Sequence, residues 1–253
     1  MRSFDGIRFG WFRSILIEVI RNDYWNDSLW IESEKREFAY NLCSQLEALD
    51  SNNLSMDARN NALEAIINSN RKAVPILERV FEVLNHRMHI KLGSPLRFDH
   101  CLAFILYTST PANYDLTKTQ LAHNTQKWKY FDHCLSEGIA RLGYRQQIRN
   151  CDLWCGLNCV YFDTSMAESD AIFLSSHQSS SIRKSVAENF RTEWGTIVKI
   201  DSNSLFPFFR CDVSWISMYE SECEVLLARG ALFKMKEFNV VIEHKQFIQL
   251  EGI

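Results

Sequence analysis

The sequence predicts an α+β protein: a helical stretch over about the first 150 residues, then a β-rich stretch of about 100. Three observations carry this. Between Gly10 and Gly93 there is no glycine, and Pro75 is the one proline in that interval; a stretch so poor in breakers favours helix. Apolar residues recur at helical spacing as far as Leu142. From about Asp152 the pattern changes to short β-branched or aromatic runs separated by Ser, Asn and Asp.

Element by element, residues 11–20 form a weakly amphipathic helix. It belongs to a core rather than a membrane surface, because basic residues do not line its polar side. Phe38, Leu42, Leu46 and Leu49 mark one further helical face, and Val74, Leu77, Val80, Phe81 and Leu84 another. Asn and Ser cluster at residues 51–55 and 68–70, where these helices turn. The pattern continues through Phe98, Leu102, Ile105 and Leu106, and resumes at Phe131, Leu135, Ile139 and Leu142. Thr117 with Gln120 fits a capping box opening a short helix between them. Strands are expected at residues 153–161, 171–175, 196–201, 222–227 and 240–250, with one helix at 182–190. The Ser-rich stretch 175–181 is too short for a linker and lies between a strand and that helix.

Composition narrows the function. At 253 residues, 46% hydrophobic and 23% charged, the chain is globular and needs neither metal nor disulfide to fold. A net charge of -3 argues against a general nucleic-acid binder, whose phosphate contacts require clustered Lys and Arg. No apolar run approaches the roughly 18 residues of a membrane span, and Glu18 interrupts the best N-terminal run, so a signal peptide is not expected. A cytoplasmic setting follows, with delivery by a signal-less route as the alternative. The eight cysteines read as free thiols. Cys151, Cys155 and Cys159 recur every four residues, but no second ligand pair lies nearby, and no metal is expected. His86 and His89 lie three apart on a helix without an acidic or cysteine partner, which suits a surface pair better than a metal site.

Three segments stand out chemically. In Tyr219-Glu220-Ser221-Glu222-Cys223-Glu224-Val225-Leu226-Leu227, a strand would project Glu220, Glu222 and Glu224 from one face. Such carboxylates repel and raise one another's pKa. They form either a solvated edge that deters strand pairing or a pair with divided roles, one steadying a cationic sugar transition state and the other orienting the attacking group. In Phe173-Leu174-Ser175-Ser176-His177, a serine at a strand end is a turn residue or a hydroxyl holding a carboxylate in place. Ser175 and His177 do not make a hydrolytic pair, since they lack a G-x-S-x-G elbow. Leu153-Trp154-Cys155-Gly156-Leu157 reads as a buried strand with a tight backbone approach at Gly156.

Taken in order, these segments resemble the mono-ADP-ribosyltransferases of the R-S-E class, the cholera-toxin-like and arginine-modifying group. Residues 95–253 carry the resemblance, as a mixed β-sandwich catalytic domain, and 1–94 form a separate helical region. That class carries aromatic-Arg-Gly on a first strand, Phe-x-Ser-Thr-Ser on a second and Glu-x-Glu-Val-Leu on a later one. Phe173, Ser175 and Ser176 match the second motif, followed by Val186, Ala187 and Phe190; Glu222 to Leu227 match the third, with Gly230 and Phe233 after them. Leu106-Tyr107-Thr108 and Tyr114-Asp115-Leu116 resemble the helical segment preceding the fold.

The resemblance implies NAD as a substrate and a protein as acceptor. It makes Glu224 the catalytic carboxylate, Glu222 the group that positions an acceptor arginine, and Ser175 the hydroxyl that bonds Glu224. Ser175, Ser176, Cys155 and Gly156 would lie in the NAD site, and Trp215 and Tyr219 in a substrate-contacting loop. Two positions depart from the class: Cys155 replaces the first-motif arginine, and His177 replaces the third residue of Ser-Thr-Ser. A thiol cannot clamp phosphate. Arg149 lies about 20 Å upstream along an extended strand. Arg183, beside Lys184 at a helix start, is better placed to grip an anion. Besides a transferase, the residues admit a non-catalytic binding module built on the same fold, or an NAD glycohydrolase with water as acceptor.

Overall fold

The computed structural model of the chain describes residues 9–22, 35–51, 54–71, 74–124, 126–146, 148, 151–162, 171–191, 194–241 and 245–252. The chain divides into two compact units, residues 1–138 and 139–253. Among the described residues no helix is long and apolar enough to cross a membrane.

The first unit is helical: α1 (Phe9–Arg21), α2 (Lys35–Ser51), α3 (Met56–Asn70), α4 (Pro75–Asn85), α5 (Arg87–Lys91), α6 (Phe98–Thr108), α7 (Thr110–Leu121) and the greater part of α8 (Lys129–Gly143). Helix α1 buries Phe12, Ile15, Leu16 and Val19, the core role expected of it. Its Glu18 is 8% exposed and accepts the backbone N–H groups of Tyr130 and Phe131, each at 2.9 Å, so it satisfies orphan donors at the start of α8. Ser55 caps α3, and Pro75 opens α4 at a position where its missing N–H costs nothing. Helix α6 is buried from end to end, as the central helix of such a unit must be.

Two expectations change here. Thr117 and Gln120 do not open a helix, because α7 already begins at Thr110 with a proline in its first turn. Thr117 instead donates to Asn113 Oδ1 at 3.2 Å, and Gln120 to Asp132 Oδ1 at 2.7 Å. Nor are the histidines a surface pair. His86 Nδ1 accepts the Met88 N–H and caps α5. His89 is 1% exposed; its Nε2 accepts the Leu96 N–H at 3.1 Å, which leaves the Nδ1 proton for the Leu84 carbonyl at 2.9 Å.

The second unit contains β1 (Asp152–Asn158), β2 (Ala171–Phe173), β3 (Gln178–Ser181), α9 (Lys184–Arg191), β4 (Gly195–Asp201), β5 (Arg210–Asp212), β6 (Glu224–Leu227), β7 (Leu232–Val241) and β8 (Lys245–Gly252). The strands form one sheet in the order β2-β7-β8-β4-β1-β3-β6-β5. β4 and β8 run parallel, whereas the other neighbours are antiparallel, so the sheet is mixed. A single register pair, Trp154 with Ser181, joins β1 to β3. Leu153, Cys155, Val198 and Ile200 on one side of that junction share an apolar cluster with Val225 and Leu227 on the other. The helical N-terminal half and the mixed β core expected after it are therefore present, the strands being joined in one continuous sheet rather than two separate ones.

Strands β3, β5 and all but the last two residues of β7 escaped the sequence pattern. β3 is Gln-Ser-Ser-Ser, which has no apolar alternation and is a strand because β6 pairs with it from Gln178↔Leu227 to Ser181↔Glu224. The run expected over 240–250 is the end of β7 plus β8, and its residues 242–244 lie outside the described residues. Gly156 fulfils its expected role: a Cβ there would sit 1.9 Å from the Ala187 carbonyl oxygen, so α9 lies directly on β1.

Candidate active site

β6 begins with Glu224, whose side chain is buried, the residue being 5% exposed. Register places Ser181 opposite Glu224 and Ser179 on the diagonal of the same face. The Ser179 hydroxyl donates to Glu224 Oε1 at 2.6 Å, and Ser217 hydrogen-bonds the same carboxylate. The neighbouring serines bind the adjoining backbone: Ser180 donates to the Val225 carbonyl and Ser181 to the Glu222 carbonyl, both at 2.6 Å. Three consecutive hydroxyls thus tie β3 to the acidic segment.

This arrangement corrects the reading of Ser175. Ser175 and Ser176 lie in the turn between β2 and β3, the first half-buried and the second buried. The serine of this segment that reaches Glu224 is Ser179, four residues later, or about 13 Å along an extended chain. The sequence carried the sign: Ser179-Ser180-Ser181 is a run of three hydroxyls directly ahead of α9, with Val186, Ala187 and Phe190 following. An apolar-periodicity search passes over it. His177 is 1% exposed and accepts the Arg229 N–H at 3.2 Å, a contact that closes the turn.

The expected strand over 222–227 starts two residues late, and the three glutamates do not share a face. Residues 220–222 make a 3₁₀ turn, in which Tyr219 accepts the Glu222 N–H and Glu220 the Cys223 N–H. Cys223 then takes a left-handed backbone with φ 49°. Ser181 occupies the Glu222 carbonyl, which removes it from the strand ladder. Glu220 is exposed, Glu222 half-buried and Glu224 buried. Burial raises the pKa of Glu222. Glu224 is raised chiefly by burial and further by the charge of Glu222, while the hydroxyls of Ser179 and Ser217 act in the opposite sense.

The other expected residues separate. Cys155 is 3% exposed within the apolar cluster, and burial lifts its thiol to about 12; it faces neighbouring side chains of the core, where it is an inert hydrophobe. Gly156 serves helix packing. Arg183 is exposed on the stretch before α9, with Nη1 3.4 Å from the Ser221 carbonyl, and so stands beside the acidic turn. Lys184 lies 5.5 Å over the Trp154 ring, which Lys199 also approaches at 5.7 Å. Arg149 lies outside the described residues. In the loop before β6, Trp215 is buried whereas Met218 and Tyr219 are exposed at 41% and 48%. Cys151 is half-buried and Cys159 exposed. Among the described residues no cluster of His, Cys, Asp or Glu is placed to hold a metal ion.

Comparison with known proteins bears on the fold and the family. Solved structures with the same fold include the ADP-ribosyltransferase HopU1 of Pseudomonas syringae pv. Tomato DC3000, at TM-score 0.57 and 13% identity over 70% of this chain and 87% of that one. Exoenzyme S from Pseudomonas aeruginosa, solved with human 14-3-3 protein beta and carba-NAD, gives TM-score 0.53 and 17% identity over 70% and 88%. The eukaryotic mono-ADP-ribosyltransferase ART2.2 gives 0.50 and 13% over 74% and 86%. No curated protein matches by sequence. The model of one family, described as NAD:arginine ADP-ribosyltransferase, matches residues 38–253. The chain therefore belongs to the NAD:arginine ADP-ribosyltransferase family, whose members use NAD as a substrate.

Proposed function

We propose that the protein transfers ADP-ribose from NAD to a side chain of another protein, with arginine as the acceptor. The observation that carries this reading is the Glu224 carboxylate, buried, bonded to Ser179 and Ser217, and within electrostatic reach of Glu222. In the reaction the bond between ribose and nicotinamide breaks and positive charge develops on the sugar. A fixed carboxylate in a water-poor site stabilises that charge far more than it would in water. Glu224 takes this part, and the two serines hold its orientation. The acceptor nitrogen then bonds the anomeric carbon and loses a proton. Glu222, nearer solvent, orients the guanidinium and receives that proton before it passes to water.

Arg183 is assigned to the NAD phosphates and Tyr219 to the acceptor protein, with residues 95–253 as the catalytic region, 1–94 as a helical accessory and the cytoplasm as the setting. Cys155 is absent from this scheme, since its thiol faces apolar neighbours. The test is incubation of the purified protein with NAD and a cell lysate, read by mass spectrometry beside Glu224→Gln. Protein-bound ADP-ribose that requires Glu224, on arginine, supports the reading. Free ADP-ribose without labelled protein would make the protein a glycohydrolase. Intact NAD would make it a binding module.

A further inference from the structure

Residues 213–217 fold back on the strand that carries the catalytic carboxylate. The Val213 N–H donates to the Glu224 carbonyl at 3.0 Å, and the Val213 carbonyl accepts the N–H groups of Ile216 and Ser217, each at 2.8 Å. This double turn delivers Ser217 to Glu224 with 1% of its surface exposed. The Ser217 oxygen also accepts the backbone N–H of Tyr219 at 3.1 Å. A hydroxyl has one proton and two lone pairs, so Ser217 can serve both neighbours: it accepts from Tyr219 and donates to the carboxylate. The chain continues outward, because the Tyr219 carbonyl accepts the Glu222 N–H at 3.0 Å. Met218 and Tyr219, on the exposed side of this link, are the parts of the loop that an approaching protein meets.

We propose that Ser217 is a positioning residue that couples the exposed Met218-Tyr219 loop to the Glu224 carboxylate, so that the set of the loop and the set of the catalytic group change together. The inference rests on the transferase reading. Ser179 holds Glu224 from the neighbouring strand, which is rigid by pairing; Ser217 holds it from the loop, which carries the exposed residues. A loop displaced by a wrong partner withdraws a hydrogen bond from the ionised form of Glu224. A loop seated correctly keeps it.

The test titrates Glu224 directly, by NMR of the full chain labelled with ¹³C at glutamate carboxyls and assigned with Glu224→Gln. Comparison covers wild type, Ser217→Ala, Ser217→Thr and the isosteric Ser217→Cys. Loss of a hydrogen bond to the charged form moves the Glu224 midpoint upward by about one pH unit in Ser217→Ala, while Ser217→Thr stays near wild type and Ser217→Cys, a weaker donor, falls between. The acid limb of NAD turnover moves with it. An unchanged Glu224 midpoint in Ser217→Ala, or Ala and Thr variants that behave alike, overturns the proposal, even if the melting temperature falls. The titration requires no turnover. A wild-type protein that leaves NAD untouched sinks the transferase reading alone, and the midpoints still decide the Ser217 link.

Discussion

In the helical unit, Asp99 and Glu137 meet a guanidinium. Arg97 forms two bonds to Asp99, at 3.1 and 2.9 Å, and two to Glu137, at 2.7 and 2.8 Å. His100 accepts the Arg97 N–H and turns Nε2 towards Glu137 at 3.3 Å. In the sheet unit, Glu224 meets two hydroxyls and a second carboxylate. Both are buried acidic sites, and the difference teaches what each is for. Asp99, 1% exposed, is matched in charge and joins α6 to α8; it is structural. Glu224 is oriented by hydroxyls, and in the proposed reaction its carboxylate faces a cationic centre.

Breaking each site should therefore injure a different property. The largest effect is expected from Glu224→Gln, which keeps the shape and removes the charge: turnover of NAD should fall on the order of 10² to 10³-fold or more, while the melting temperature at neutral pH rises. The sign follows from linkage. Glu224 has a folded-state pKa above its unfolded value, so the folded protein holds the extra proton between the two, and stability falls as pH rises through that window. The glutamine variant escapes this loss, and its advantage should vanish below the unfolded glutamate value of about 4.3. A melting curve against pH checks it.

Arg97→Met should do the reverse, with a loss of about 3–5 kcal/mol as the buried Asp99 and the half-buried Glu137 are left without their cation. Denaturant unfolding followed in the helical unit measures it. A folded variant that keeps its stability would show that Asp99 and Glu137 are not held by charge at all.

Smaller effects sharpen the contrast. His100 is lowered below its ordinary pKa, chiefly by burial, so folding favours its neutral form. Its unfolded form binds more protons below about 6.5. Stability of the helical unit should therefore drop as pH falls through that value, and His100→Gln should flatten the slope. Glu224 tilts the sheet unit the other way, so unit-specific probes should show opposing pH trends. Glu222→Gln should spare NAD cleavage and reduce transfer to protein, shifting product from labelled protein to free ADP-ribose; a parallel assay of both products tests it. Arg183→Ala should weaken NAD binding modestly, since the side chain is exposed, and unchanged affinity by calorimetry would remove Arg183 from the site.

Much of this was visible along the chain because it is local. The absence of breakers before Gly93, the helical apolar spacing and the later switch in period each concern neighbours a few residues apart, and such neighbours set helix and strand tendency. Glu222 and Glu224 were legible as neighbouring carboxylates for the same reason, although the shared face expected of them is absent. The hydroxyls on Glu224 were legible only in part: the run Ser179 to Ser181 stands in the sequence, but not which of its members meets the carboxylate. Ser175, Ser179 and Ser217 are equally serine in the sequence, and strand register alone brings Ser179 onto the right face, since a slip of one residue would turn it away. Ser217 reaches the same carboxylate through a turn tied to the Glu224 carbonyl. Burial behaves likewise: whether Cys155 lines a cleft or packs in a core depends on what β6 and β8 place opposite it. Composition and short-range pattern determined the helical and β-rich halves and the closeness of Glu222 to Glu224, whereas tertiary structure decided which hydroxyl, which face and which degree of burial, because those follow from strand pairings and turns that local sequence does not fix, such as the pairing that joins Ser179 to Glu224 across 45 positions.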